Sequence, residues 1–150
     1  MLNKNIGLII GRQGQAVGNM QWNLSFITKS ISDLNMFYRG GGMLFPLYLY
    51  VEGGIKIPNL KIEIVNEIEK NIGKISPEDL FDYIYAILHS PRYREKYKEF
   101  LKIDFPRVSY PKDTKTFKKL VAFGAELRSL HLLELPKVSQ LITTYPIAGS

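Results

Sequence analysis

Two Ser-Pro steps, at Ser76-Pro77 and Ser90-Pro91, constrain this chain more than any other feature of its 150 residues. Proline has no amide to leave unpaired in the first turn of a helix and already holds a helical φ. A serine just before it can accept a hydrogen bond from that turn. Each step therefore starts a helix. Glu78 and Asp79 follow Pro77, where the helix dipole favours negative charge. Leu80, Phe81, Ile84, Ile87 and Leu88 then recur at helical spacing and make a stripe wide enough to face a core. After Ser90, the residues Tyr93, Tyr97, Phe100 and Leu101 share one face, and Phe105-Pro106 closes that element.

Two more helices flank this pair. Asn59 is the expected cap of one running to about Asn71, with Ile62, Val65, Ile68 and Ile72 in phase and Gly73 as the stop. Asp113 is the expected cap of the last, which buries Phe117, Leu120, Val121, Gly124 and Leu127 and cannot continue through Pro136. The first third reads differently. Residues 6–10, 22–28 and 43–51 are β-branched, aromatic or alternating runs, with Trp22, Leu24 and Phe26 on one side of the second. Pro46 removes a ladder donor, which puts the third strand at an edge or starts it near Leu47. The expected fold class is α+β: a small, mainly antiparallel sheet followed by a four-helix C-terminal region. The β-rich part covers residues 1–57 and the helical part 58–150.

Composition narrows the chemistry. There is no cysteine, which excludes disulfides, thiol catalysis and cysteine zinc sites, and two distant histidines make no metal site. His89 and His131 read as partners of helix C-terminal dipoles. No apolar run reaches the roughly 20 residues that cross a bilayer, and the N-terminus lacks a signal peptide pattern, so a soluble cytoplasmic protein is expected. The net charge of +6 suits a partner bearing phosphates.

The segment of residues 12–21 holds Arg12, Gln13, Gln15, Asn19 and Gln21, side chain types able to make paired hydrogen bonds to guanine or adenine edges. Glycines at 11, 14 and 18 let such a loop follow a groove, though an exposed polar hairpin loop has the same composition. Arg39 precedes three glycines and can lie along a phosphate or simply in a turn. Lys115 and Lys118 belong to a dense basic run suited to nonspecific phosphate contact. The run from Arg92 to Lys102 alternates bases with Glu95 and Glu99 and reads as a solvated helix face. Gly11-Arg12-Gln13-Gly14-Gln15 lacks the Gly-Lys-Ser/Thr ending of a nucleotide-phosphate loop.

Four segments carry a family resemblance: NIGLIIGRQ at residues 5–13, WNLSFITKSISDLN at 22–35, LFPLYLY at 44–50 and SPEDLFDYIYAILHSPRYREKYKEFLKIDFPRVSYP at 76–111. In this order they resemble the C-terminal target-recognition region of type IIG and type ISP restriction-modification enzymes, which fuse an adenine-specific DNA methyltransferase to a specificity domain. The resemblance covers residues 5–133. It implies recognition of double-stranded DNA by the sheet and its loops, with the helices packing against a methyltransferase domain of the same polypeptide. It also implies an N-terminally incomplete fragment, with S-adenosylmethionine bound by the parent's methyltransferase domain and no cofactor or metal in this chain. The Asn/Asp-Pro-Pro-aromatic sequence of adenine methylation is missing, and Asp104-Phe105-Pro106 has the wrong order. No catalytic residue is expected. The alternative is a non-catalytic interaction module coupling a methyltransferase to a partner domain or subunit.

Overall fold

The computed structural model describes residues 3–11, 21–37 and 41–140. Five short strands lead into four helices, so the fold is α+β as expected. The strands β1 (Gly7–Ile10), β2 (Ser25–Thr28) and β3 (Met43–Pro46) form an antiparallel sheet in the order β2-β1-β3. A second antiparallel sheet pairs β4 (Tyr48–Tyr50) with β5 (Lys56–Pro58). The expected third strand is thus divided at Leu47. Pro46 ends β3 opposite Gly7, on an edge strand where its missing amide breaks no ladder. Leu47 turns inward instead, and its amide bonds the Ile6 carbonyl at 2.8 Å.

Strand β5 has no counterpart among the expected strands. It is three residues long, contains Pro58 and is exposed throughout, so no hydrophobic pattern marks it. The hairpin that creates it turns through Gly53 and Gly54, both with φ near +80°. Asn59 also departs from expectation: it is not a helix cap. Its side chain donates to the Pro46 carbonyl at 3.0 Å and its amide bonds the Leu47 carbonyl at 2.8 Å, so it ties the end of β5 to the β3–β4 corner. Helix α1 (Ile62–Ile72) starts after Lys61, without a side chain cap, and stops at Gly73 with φ 84°.

The Ser-Pro steps behave as read. Helix α2 (Pro77–His89) begins with a reciprocal box, in which the Asp79 amide donates to Ser76 Oγ at 3.0 Å and the Ser76 amide donates to Asp79 Oδ2 at 3.2 Å. Helix α3 (Pro91–Lys96) starts from Ser90, whose hydroxyl accepts from the Tyr93 amide at a longer 3.4 Å. Helix α4 (Thr114–His131) is capped by Asp113, which accepts from the Thr116 amide at 2.7 Å. In β2 the expected alternation fails at one point. Trp22 and Leu24 are buried, but Phe26 is exposed and leans on Phe37, because the ladder starts only at Ser25 and that small side chain faces the core.

Helix α2 belongs to both cores. Leu88 joins Ile9, Ile10, Trp22, Leu24 and Leu101 beneath the three-stranded sheet, while Leu80 and Tyr83 join Ile68, Ile72 and Phe117 between the helices. Against its other side α4 passes so closely that a Cβ at Gly124 would run into the Asp82 carbonyl. Only glycine fits there. Arg128, one turn on, grips the buried Asp82 carboxylate through two bonds of 2.7 and 3.0 Å.

The two caps differ in a measurable way. Ser76→Ala should lower stability by about 0.5–2 kcal/mol, because it removes the acceptor of the 3.0 Å bond from the Asp79 amide, and Ser90→Ala, which loses a longer bond of 3.4 Å, should cost less. Denaturant unfolding of the two variants checks the order. Equal costs, or none, would contradict the geometry.

Candidate nucleic-acid interface

The strand register decides which loops lie together. Ile10 pairs with Ser25 on one side and Met43 on the other, so the β1–β2 connection and the approach to β3 leave the sheet at the same end. Residues 12–20 and 38–40 lie outside the described residues, and with them Arg12, Gln13, Gln15, Asn19 and Arg39. Their described flanks are Gly11 and Gln21 for the first segment and Phe37 and Gly41 for the second. Gln21 is exposed at the foot of the first segment, next to buried Trp22. Gly41 has φ 90°, a conformation that suits glycine, and the Gly42 amide bonds the Leu34 carbonyl at 3.1 Å.

This end of the sheet is braced from beneath. Trp22 Nε1 donates to the Gly11 carbonyl at 2.7 Å and the Gly11 amide donates to the Leu24 carbonyl at 3.0 Å, closing the base of the first segment. The Arg94 guanidinium lies 5.7 Å from the Trp22 ring centre. Its Nε donates to the Leu88 carbonyl at 2.7 Å, so the side chain spans from the C-terminus of α2 to the foot of the loop. The reading of residues 92–102 as a uniformly solvated face does not hold for Arg94, which is half-buried, whereas Glu95, Lys96, Lys98 and Glu99 are exposed.

Beside the brace, Tyr85, His89 and His131 gather in an open cleft of about 560 Å³ together with Asn23 and Ser25. Tyr85 Oη and His131 Nδ1 share a hydrogen bond of 2.6 Å, and the two imidazole centres are 5.2 Å apart. His89 Nδ1 stands 3.3 Å from Arg94 Nη2. A guanidinium only donates, so Nδ1 must accept, and His89 is a neutral imidazole with its proton on Nε2. Burial, Arg94 and His131 together hold its pKa down to about 4, against a backbone contact from Ser25 that favours the charged form. His89 is therefore not the cationic dipole partner expected at a helix C-terminus. Desolvation outweighs the dipole. This cluster joins residues 46 positions apart, and no local spacing in the sequence signals it.

Lys115 and Lys118 are exposed on the first turns of α4, where Thr114 Oγ1 bonds the Ile72 carbonyl at 3.3 Å. His131, at the other end of that helix, borders the cleft by the loops. The stretch from Lys115 to His131 spans about 24 Å. The two lysines thus stand most of a helix length from the end of α4 that borders this cleft. Among the described residues, no helix is long and apolar enough to cross a membrane.

The model of the Type ISP C-terminal specificity domain matches residues 1–150. No match was found among curated proteins. Among solved structures, the cryoEM structure of the DrdV–DNA complex is similar at 28% identity with a TM-score of 0.71, over 87% of this chain and 12% of that one. A nuclease-deletion mutant of the Type ISP restriction-modification enzyme LlaGI, in complex with a DNA substrate mimic, is similar at 27% identity with a TM-score of 0.58, over 87% of this chain and 10% of that one. This chain spans about a tenth of the length of those structures' chains.

The His89 environment has a pH signature. An imidazole titrating at about 4 when folded and at its ordinary 6.5 when unfolded makes the unfolded state the better proton binder between those values. The contribution of this group should leave stability unchanged above pH 6.5, lower it as pH falls toward 4 and level off below. In a His89→Gln variant that part of the acid decline should vanish. Proton NMR of the His89 ring reads the value directly, and titration near 6.5 would contradict the buried arrangement.

Proposed function

Because the chain belongs to the Type ISP C-terminal specificity domain family, we propose that it reads DNA sequence through the two glycine-rich segments at one end of its three-stranded sheet. One observation carries the reading: the pairing of Ile10 with both Ser25 and Met43 sends the flanks of both polar segments out of the same sheet end. Arg12, Gln13, Gln15, Asn19 and Gln21 then meet base edges, where paired donors and acceptors discriminate, and Arg39 meets the backbone beside them. The likeness to two DNA complexes supports the reading. In this account the β-rich part, residues 1–57, reads the duplex and the helical part, residues 58–150, supports it. Lys115 and Lys118 add nonspecific attraction away from the reading end.

The same reading gives the chain no catalytic step. It serves as the specificity part of a longer type IIG or type ISP polypeptide acting in the cytoplasm, whose adenine methyltransferase domain binds S-adenosylmethionine and does the chemistry. The remaining reading, a module that couples the methyltransferase to a partner, is favoured by one feature. Leu49, Val51, Ile55 and Ile57 of the β4–β5 hairpin are exposed, an apolar surface suited to another protein.

The two roles separate by experiment. Replacing Gln13, Gln15 or Asn19 with alanine in the full-length protein should reduce discrimination between cognate and singly altered duplexes by about 1–3 kcal/mol for each bidentate hydrogen-bond pair removed. Replacing Lys115 and Lys118 together should weaken binding to all duplexes and flatten its salt dependence. Competition binding at several salt concentrations measures both. Loop variants that keep full discrimination would sink the readout, and a protein without DNA affinity would favour the coupling module.

A further inference from the structure

The end of the sheet opposite the loops carries a second basic cluster. Gly7 pairs there with Thr28 and with Pro46, and a cleft of about 480 Å³ opens between the N-terminal residues, the β4–β5 hairpin and α2. Lys4, Lys29, Lys56 and Arg128 line it, against the single acid Glu78. The walls are built rather than incidental. Asn5 stitches the chain to β4, donating to the Tyr48 carbonyl at 2.7 Å and accepting from the Tyr48 amide at 3.2 Å. Tyr50 Oη donates to the Lys4 carbonyl at 2.6 Å.

The four cations are not equivalent. Arg128 is committed to Asp82 and Lys29 to Glu134, so both are largely neutralised. Among the described residues no ion pair engages Lys4 or Lys56. Lys56 instead lies over the Tyr48 ring, 3.5 Å from its centre, which aims the ammonium without cancelling its charge. Glu78 is the one opposing group, and Tyr48 Oη donates to it at 2.5 Å. Burial and that bond push the Tyr48 pKa up to about 12, so the hydroxyl keeps its proton and the cleft gains no second negative charge.

We propose that this cleft binds a phosphodiester of the DNA backbone, with Lys4 and Lys56 as the contacting cations. The inference rests on the DNA-reading function proposed above and adds a phosphate site to it. From Gly7 to Ile10 the sheet extends about 10 Å, so a duplex lying along it with base edges at the loop end would bring a backbone phosphate within reach of Lys4 and Lys56. Contacts of this kind set position and carry no sequence information.

The test uses the full-length protein, with binding to cognate and to unrelated duplex followed across salt concentrations. In a Lys4→Gln/Lys56→Gln variant, affinity for both duplexes should fall by the same factor and the slope of log affinity against log salt should shrink by about 2. Discrimination between the duplexes should stay at its original value. Glu78→Gln should act in the opposite sense and tighten both complexes, an effect that damage to the fold cannot imitate. Wild-type affinity and slope in the double variant, or no tightening in Glu78→Gln, overturns the phosphate site while leaving sequence readout intact. If the unaltered protein binds neither duplex, the DNA-reading function itself fails and this site with it.

Discussion

The close passage of α4 across α2 at Gly124 organises everything else in the molecule. With no side chain at 124, the backbones meet over Asp82, and Arg128 converts a buried carboxylate from a desolvation cost into a two-bond clamp. Removing Arg128 would leave the buried Asp82 carboxylate without its partner, which costs more than the pair itself contributes. The clamp fixes α2, and α2 in turn fixes both ends of the sheet. Its first turn brings Glu78 to the basic cleft, and its last brings Leu88 and His89 beneath the loop end. Thirteen residues of helix span about 20 Å, so one element reaches from the basic cleft to the loop end.

Recognition in this account depends on rigidity at the described flanks of the two polar segments. Gly11 is held through both its carbonyl and its amide, and Trp22, nearly inaccessible, is sandwiched between that base and Arg94. The neutral imidazole of His89 serves the same brace, since a protonated ring could not accept from Arg94.

Features governed by neighbours in the chain were readable in the sequence. Ser76, Ser90 and Asp113 are caps because capping involves a serine or aspartate and an amide three residues away, and Gly73 ends α1 for an equally local reason. Pro46 marked the corner between sheets, although not that a second sheet begins there. What escaped was long-range. Asn59 has the chemistry of a cap but is claimed by Pro46 and Leu47, and β5 exists only because β4 lies beside it. Arg94 read as a solvated helix charge and His89 as a dipole partner until Trp22 and His131 arrived from distant parts of the chain. The composition of residues 12–21 suggested base contact from the sequence alone, whereas the cleft at Lys4 and Lys56 unites side chains 52 positions apart and had no signature.

The central claim is that DNA is met at the loop end of the three-stranded sheet, and hydrogen–deuterium exchange of the full-length protein with and without cognate duplex tests it most directly. The account predicts slowed exchange in peptides covering residues 11–24 and 37–43, with α1 at residues 62–72 unchanged. Protection confined to the helices, with both loop peptides exchanging at the same rate in the presence and absence of duplex, would contradict it.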